Sequence, residues 1–88
     1  MGIEAKLNIP LQKLAGDKER IEVKGSTVRE CLNHLIITLP GAERSLFEKD
    51  GSLRPLILIN NHHFPQDDLD RKVNDGDELW IISRIFGG

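Results

Sequence analysis

Asp75-Gly76-Asp77-Glu78-Leu79-Trp80-Ile81-Ile82 is the stretch on which the fold turns. Its first half, with Asn74 before it, is turn chemistry: acidic and amide side chains around a glycine bend the chain, and Glu78 opens a strand. Its second half is apolar at every position, which predicts a strand buried on both faces and interior to its sheet. Neighbouring strands must then flank it. Beyond it, Ser83-Arg84-Ile85-Phe86 continues almost to Gly87-Gly88. Little room is left for a trailing linker, and a carboxylate is expected on two residues that lack side chains. That carboxylate is the candidate working group, because glycine accepts any φ/ψ and lets a partner enclose the backbone closely.

Working back towards the N-terminus, Leu56-Ile57-Leu58-Ile59 is a second short apolar run of the buried-strand kind. Asn60-Asn61 can take positive φ and return the chain as a hairpin through His62-His63-Phe64, where Pro65 confines the return strand to an edge. Leu69 and Val73 look like two anchors holding a solvated acidic loop or single helical turn. Asp50-Gly51-Ser52 is a turn.

Thr27 and Glu30 form a capping box ahead of Val28, Cys31, Leu32, Leu35, Ile36 and Leu39, one apolar stripe at helical spacing. Pro40-Gly41 stops that helix. Ile37 falls on its polar side, so either the segment from Ala42 to Phe47 folds over it, the favoured reading, or it belongs to an exposed contact patch. At the N-terminus, Ile3, Ala5, Leu7 and Ile9 alternate with Glu4, Lys6 and Asn8 as a strand with one wet face. Pro10 ends it, a long loop through Gly16-Asp17-Lys18-Glu19 follows, and Ile21 and Val23 mark the returning strand of an opening hairpin. Two strands, one long helix and further strands with the last one central make an α+β architecture with helix on sheet.

Eighty-eight residues form one domain, spanning residues 1–86 with its last strand and tail, followed by the glycine pair 87–88. A separate catalytic cleft is not expected at this size, and no glycine-flanked nucleophile elbow surrounds Ser45 or Ser83. Net charge is −2, which gives no electrostatic footprint for nucleic acid or an anionic membrane. Protein is the expected class of partner. No run reaches membrane-spanning length, the N-terminus lacks signal-peptide character, and Lys6 breaks the myristoylation pattern. A cytoplasmic location is expected.

Cys31 is the only cysteine. It lies on the helix stripe, where it reads as a small core hydrophobe rather than a sulfur relay. His62-His63 point to opposite faces of a strand and show no third ligand, so a metal site is not expected. His34 reads as solvated. The aspartates around Asp67 and Asp75 mimic a calcium loop, but Lys72 stands where an oxygen ligand is needed.

Taken together, Asp75-Gly76-Asp77-Glu78-Leu79 before an apolar last strand, Leu58-Ile59-Asn60-Asn61 in the preceding hairpin and Gly87-Gly88 resemble the ThiS/MoaD-like, ubiquitin-like sulfur carriers. The resemblance runs through the whole chain in element order, and its specific part is the combination of acidic-glycine turn, last strand and diglycine. It implies the β-grasp fold, a mixed sheet packed on one main helix with first and last strands adjacent and parallel. It also implies three partners: an adenylating protein of the ubiquitin-activating type, a sulfur donor, and an acceptor enzyme. By position, Gly88 would bear a thiocarboxylate, and Gly87, Phe86, Ile85 and Arg84 would meet the partner. The chain itself would bind no cofactor, ATP being used by the activating enzyme.

The long middle segment from Pro40 to Pro55 resembles MoaD-like chains more than the compact thiamin-type carriers. The expected acceptor is therefore the molybdopterin synthase large subunit. Arg84-Ile85-Phe86 departs from the small or proline-like residues usual ahead of the glycines, which leaves the acceptor open. Ile85 and Phe86 either anchor the tail in a partner groove or pack on this domain, and Arg84 either pairs with an acidic partner surface or is solvated. Three alternatives stand beside this reading: a thiamin-type sulfur carrier, a ubiquitin-like modifier joined to lysines, and a non-catalytic β-grasp interaction module whose glycines are incidental.

Overall fold

The computed structural model describes residues 2–84. Four strands and three helices follow in the order β1 (Ile3–Lys6), α1 (Ile9–Leu14), β2 (Arg20–Val23), α2 (Val28–Thr38), α3 (Ala42–Leu46), β3 (Leu56–Ile59) and β4 (Glu78–Ile82). The strands form one mixed sheet in the order β2-β1-β4-β3. β4 pairs in parallel with β1, Leu79 opposite Ala5, and antiparallel with β3, Ile81 opposite Ile57. The last strand is therefore interior, flanked by the first, as the resemblance implies.

Burial on β4 is one-sided. Leu79 and Ile81 are buried with Ile3, Ala5, Val23 and Ile57 on the face that meets Leu32 and Leu35 of α2. Trp80 is half-buried and Ile82 is 38% exposed on the other face, beside Glu4 and Lys6. The expectation of burial on both faces thus holds for pairing but not for side chains. Helices cover one face only, and an antiparallel-edged sheet tolerates a wet second face.

α2 begins as read. Thr27 Oγ1 accepts from the Glu30 amide at 3.1 Å, while Glu30 Oε1 accepts from the Ser26 amide at 2.7 Å, one residue before the usual partner. The next amides, of Val28 and Arg29, donate to the carbonyls of Arg71 and Leu69, so the loop anchored by buried Leu69 and Val73 completes the cap. Glycine at 25 lets the incoming chain lie against the first turn of α2: a Cβ there would stand 2.8 Å from the Cys31 nitrogen.

Elsewhere the structure corrects the sequence reading. The first strand ends at Lys6, not Ile9, and the opening loop contains α1, capped by Asn8, whose side chain accepts from the Leu11 amide at 3.3 Å. Pro10 does not end the strand but lies in the first turn of α1, where its missing N–H costs nothing. Fully buried Leu11 holds that helix to the core.

Ile37 is 80% exposed, so nothing covers it among the described residues. Residues 42–46 do fold over as α3, but they turn Ala42 and Leu46 into the core instead. The return strand through His62-His63-Phe64 is reduced to a single bridge between Ile59 and His62. Asn60 and Asn61 take positive φ, 51° and 64°, as expected. Past them the sheet edge is closed by a side chain: Gln66 Oε1 accepts from the Ile57 amide at 2.8 Å and its Nε2 donates to the Ile57 carbonyl at 2.9 Å. An amide group presents the same donor and acceptor as a strand backbone, so one glutamine blocks the edge against foreign pairing.

Candidate functional site

The site grows from the end of β4, where the chain leaves the sheet. β4 lies between β1 and β3 and is paired on both sides as far as Trp80, opposite Lys6 and Leu58, then on the β3 side alone up to Ile82 opposite Leu56. The next residue is held by one side chain: Asn8 Nδ2 donates to Ser83 Oγ at 3.1 Å. Asn8 uses both ends of its amide, Oδ1 capping α1 and Nδ2 holding Ser83, so the helix cap and the tail root share a residue. Arg84 is exposed. Of the expected site residues, Ile85, Phe86, Gly87 and Gly88 lie outside the described residues.

Arg84 stands between two shallow grooves. One, of about 320 Å³, also has Asn8, Arg44, Ser45 and Arg54 on its walls. The other, of about 580 Å³, includes Arg29, Leu53 and Gln66. Neither Arg44 nor Arg54 was singled out from sequence. They lie on α3 and just before β3, and the fold brings them to the tail root.

On the open face beside this exit, Lys6 Nζ lies 4.0 Å from the centroid of the Trp80 ring, and Trp80 Nε1 donates to Glu78 Oε1 at 3.1 Å. Half-buried Leu56 and partly exposed Ile82 continue the apolar surface towards the tail. Arg20 bridges Glu4 and Glu78 at the rim of this face. A tryptophan stacked against a cation and rimmed by ion pairs is a surface with an apolar body and a polar boundary, the general form of a protein contact patch.

The remaining reactive groups are occupied structurally. Cys31 is buried in the core, and its thiol is pushed up to about 11 by desolvation and, secondarily, by the neighbouring Glu30 carboxylate. It is a thiol rather than a thiolate at neutral pH, so it is a poor sulfur nucleophile. His34, read as solvated, is half-buried, and its Nδ1 accepts from the Lys24 amide at 3.0 Å. Among the described residues, no three His, Cys, Asp or Glu side chains converge to hold a metal. No helix among them is long and apolar enough to cross a membrane.

Comparison with known proteins agrees with this geometry. No curated protein matches the sequence. Among solved structures, small archaeal modifier protein 1 (SAMP1) from Haloferax volcanii is 31% identical, with a TM-score of 0.75 over 98% of each chain. A chain of the Amycolatopsis orientalis BexX/CysO complex superposes with a TM-score of 0.83 at 23% identity, covering 99% of this chain and 100% of that one. CysO of Mycobacterium tuberculosis superposes with a TM-score of 0.86 at 18% identity, over 96% of this chain and 100% of its own. These likenesses establish the β-grasp, ubiquitin-like fold. The model of the ThiS family matches residues 5–88, nearly the whole chain, and the protein belongs to that family.

Proposed function

We propose that this protein is a sulfur carrier whose Gly88 carboxylate is adenylated and then converted to a thiocarboxylate. The observation that carries the reading is the strand order: the chain leaves towards Gly88 from the interior strand, held by β1 and β3 as far as Trp80 and by β3 up to Ile82, next to an apolar surface suited to a partner. Membership of the ThiS family and the likeness to a chain of a BexX/CysO complex support it.

The chemistry asks little of this chain. A carboxylate is a poor acyl donor because oxide is a poor leaving group. An α-carboxyl has a pKa of about 3.3–3.7, so at neutral pH it is already the anion that attacks the α-phosphorus of ATP and expels pyrophosphate. Hydrosulfide supplied by a donor protein then forms the C–S bond as AMP departs. ATP and the sulfur donor belong to partners. Glycine at 87 and 88 removes both Cβ atoms from the path of an enclosing channel, and extended backbone can hydrogen-bond its walls, with Ile85 and Phe86 as side-chain anchors. The acceptor in this reading is the molybdopterin synthase large subunit, in the cytoplasm, where ATP is available.

Likeness to a small archaeal modifier protein favours a second reading, in which the same acyl adenylate acylates a lysine ε-amine. Covalent adducts ending in Gly87-Gly88 on other proteins would distinguish it. The adenylation step common to both is tested by ATP–pyrophosphate exchange with the activating protein of the same cell. Deletion of Gly88, or Gly87→Val, is expected to abolish exchange while leaving the unfolding curve unchanged. Normal exchange by either variant would sink the assignment.

A further inference from the structure

Charge is unevenly placed on this molecule. At the Gly2 end of the sheet, Glu4, Glu22, Asp77 and Glu78 border one shallow groove. At the end where β4 finishes, Arg44, Arg54 and Arg84 line another. The chain carries −2 overall, so the second groove is a basic site on an acidic protein. Among the described residues Arg44 and Arg84 form no ion pair. Arg54 does: its Nη2 lies 3.2 Å from Glu48 Oε1, and its Nε donates to the Phe47 carbonyl at 3.2 Å. Those two contacts orient Arg54, while buried Ala42 and Leu46 fix the helix that carries Arg44. Buried Pro55 fixes the groove's floor.

We propose that this arginine-lined groove receives an acidic segment of the activating protein and seats it at the tail root. The inference rests on the adenylation reading above. Charge complementarity chooses the occupant. Guanidinium forks donate paired hydrogen bonds to carboxylates, and Arg44 and Arg84, which form no ion pair among the described residues, leave their charge for an incoming anion. From Arg84 four residues remain to Gly88, a reach of at most about 14 Å when extended. A segment seated in the groove is therefore within that reach of the group that takes the carboxylate.

The test is ATP–pyrophosphate exchange by the host's adenylating protein, titrated with this chain. Arg44→Glu is expected to raise the half-saturating concentration roughly tenfold or more, with the plateau rate unchanged, because the tail is intact. Lys24→Glu makes the same charge change beyond the far end of β2, next to Val23 opposite Ile3, and is expected to behave as the natural chain does. Without any substitution, added salt is expected to raise the natural chain's half-saturating concentration steeply and that of Arg44→Glu weakly. Equal half-saturation for Arg44→Glu and the natural chain, or no salt dependence, overturns the groove. Concentration-dependent self-association abolished by Arg44→Glu would give the groove to a second copy and also overturn it. Absence of exchange with the natural chain would instead overturn the adenylation reading on which it stands.

Discussion

The two ends of β4 are built differently. At its start, the Glu78 amide donates to Asn60 Oδ1 at 2.8 Å, the Asn60 amide donates to the Glu78 carbonyl at 2.9 Å, and Asn60 Nδ2 donates to Asp77 Oδ1 at 2.9 Å. Asp77 Oδ2 also accepts from the Asn74 amide at 2.8 Å, closing the turn. At its finish, one side-chain hydrogen bond, from Asn8 to Ser83, holds the backbone before exposed Arg84. Register is set where the strand begins, so the far end need not be fastened by its own residues. Among the described residues, then, the strand is clamped by side chains at its start and sparingly held at its finish.

That contrast can be broken or sharpened by substitution. The middle of β4 should matter most: Leu79→Ala empties a fully buried core position, with an expected loss of about 2–5 kcal/mol in denaturant unfolding. Next comes the clamp. Asn60→Ala removes its bonds to Glu78 and Asp77 and places alanine at φ 51°, with an expected cost of about 1–2 kcal/mol. Thr27→Ala, which removes the helix cap at a site unrelated to β4, should cost about 1 kcal/mol. Ser83→Ala at the exposed end should cost the least, about 0.5 kcal/mol. If Ser83→Ala proved as damaging as Asn60→Ala, the two ends would be equivalent and the asymmetry would be lost.

The core beneath the strand makes a separate prediction about pH. The Cys31 thiol titrates from 9.0 in the unfolded chain and is pushed up to about 11 when folded. Above about pH 9 the unfolded state loses a proton that the folded state keeps, so stability falls as pH rises from 9 to 11. Cys31→Ala should flatten that part of the pH dependence of unfolding, and native Cys31 should resist alkylation at pH 8. Rapid alkylation without unfolding would show that the thiol is accessible after all.

Much of the fold was legible because local chemistry and tertiary packing agree. The Thr27–Glu30 cap, the stripe from Val28 to Leu39, the positive-φ asparagines and the anchors Leu69 and Val73 all read correctly from spacing alone. α1 was not legible, because Pro10 serves equally as a strand terminator and as a helix first-turn residue. The return strand after Asn61 failed for another reason: Gln66, nine residues beyond Ile57, supplies the pairing groups that a strand would have given. Leu79 to Ile82 looked buried on both faces because apolar residues do not say whether a face meets a helix or a partner. At the tail root the sequence pointed to Arg84, but Arg44 and Arg54 reach it only through the packing of α3 and β3. Asn8 and Ser83, 75 residues apart, share no local signal.

The central claim is that Gly88 carries sulfur on its carboxyl carbon, and intact mass spectrometry of the protein isolated from its native host tests it most directly. A species ending at Gly88 with one terminal oxygen replaced by sulfur is expected, converted to the plain carboxylate when the acceptor is supplied. Only the unmodified carboxylate, under conditions where the activating protein and sulfur donor are present and active, would contradict it.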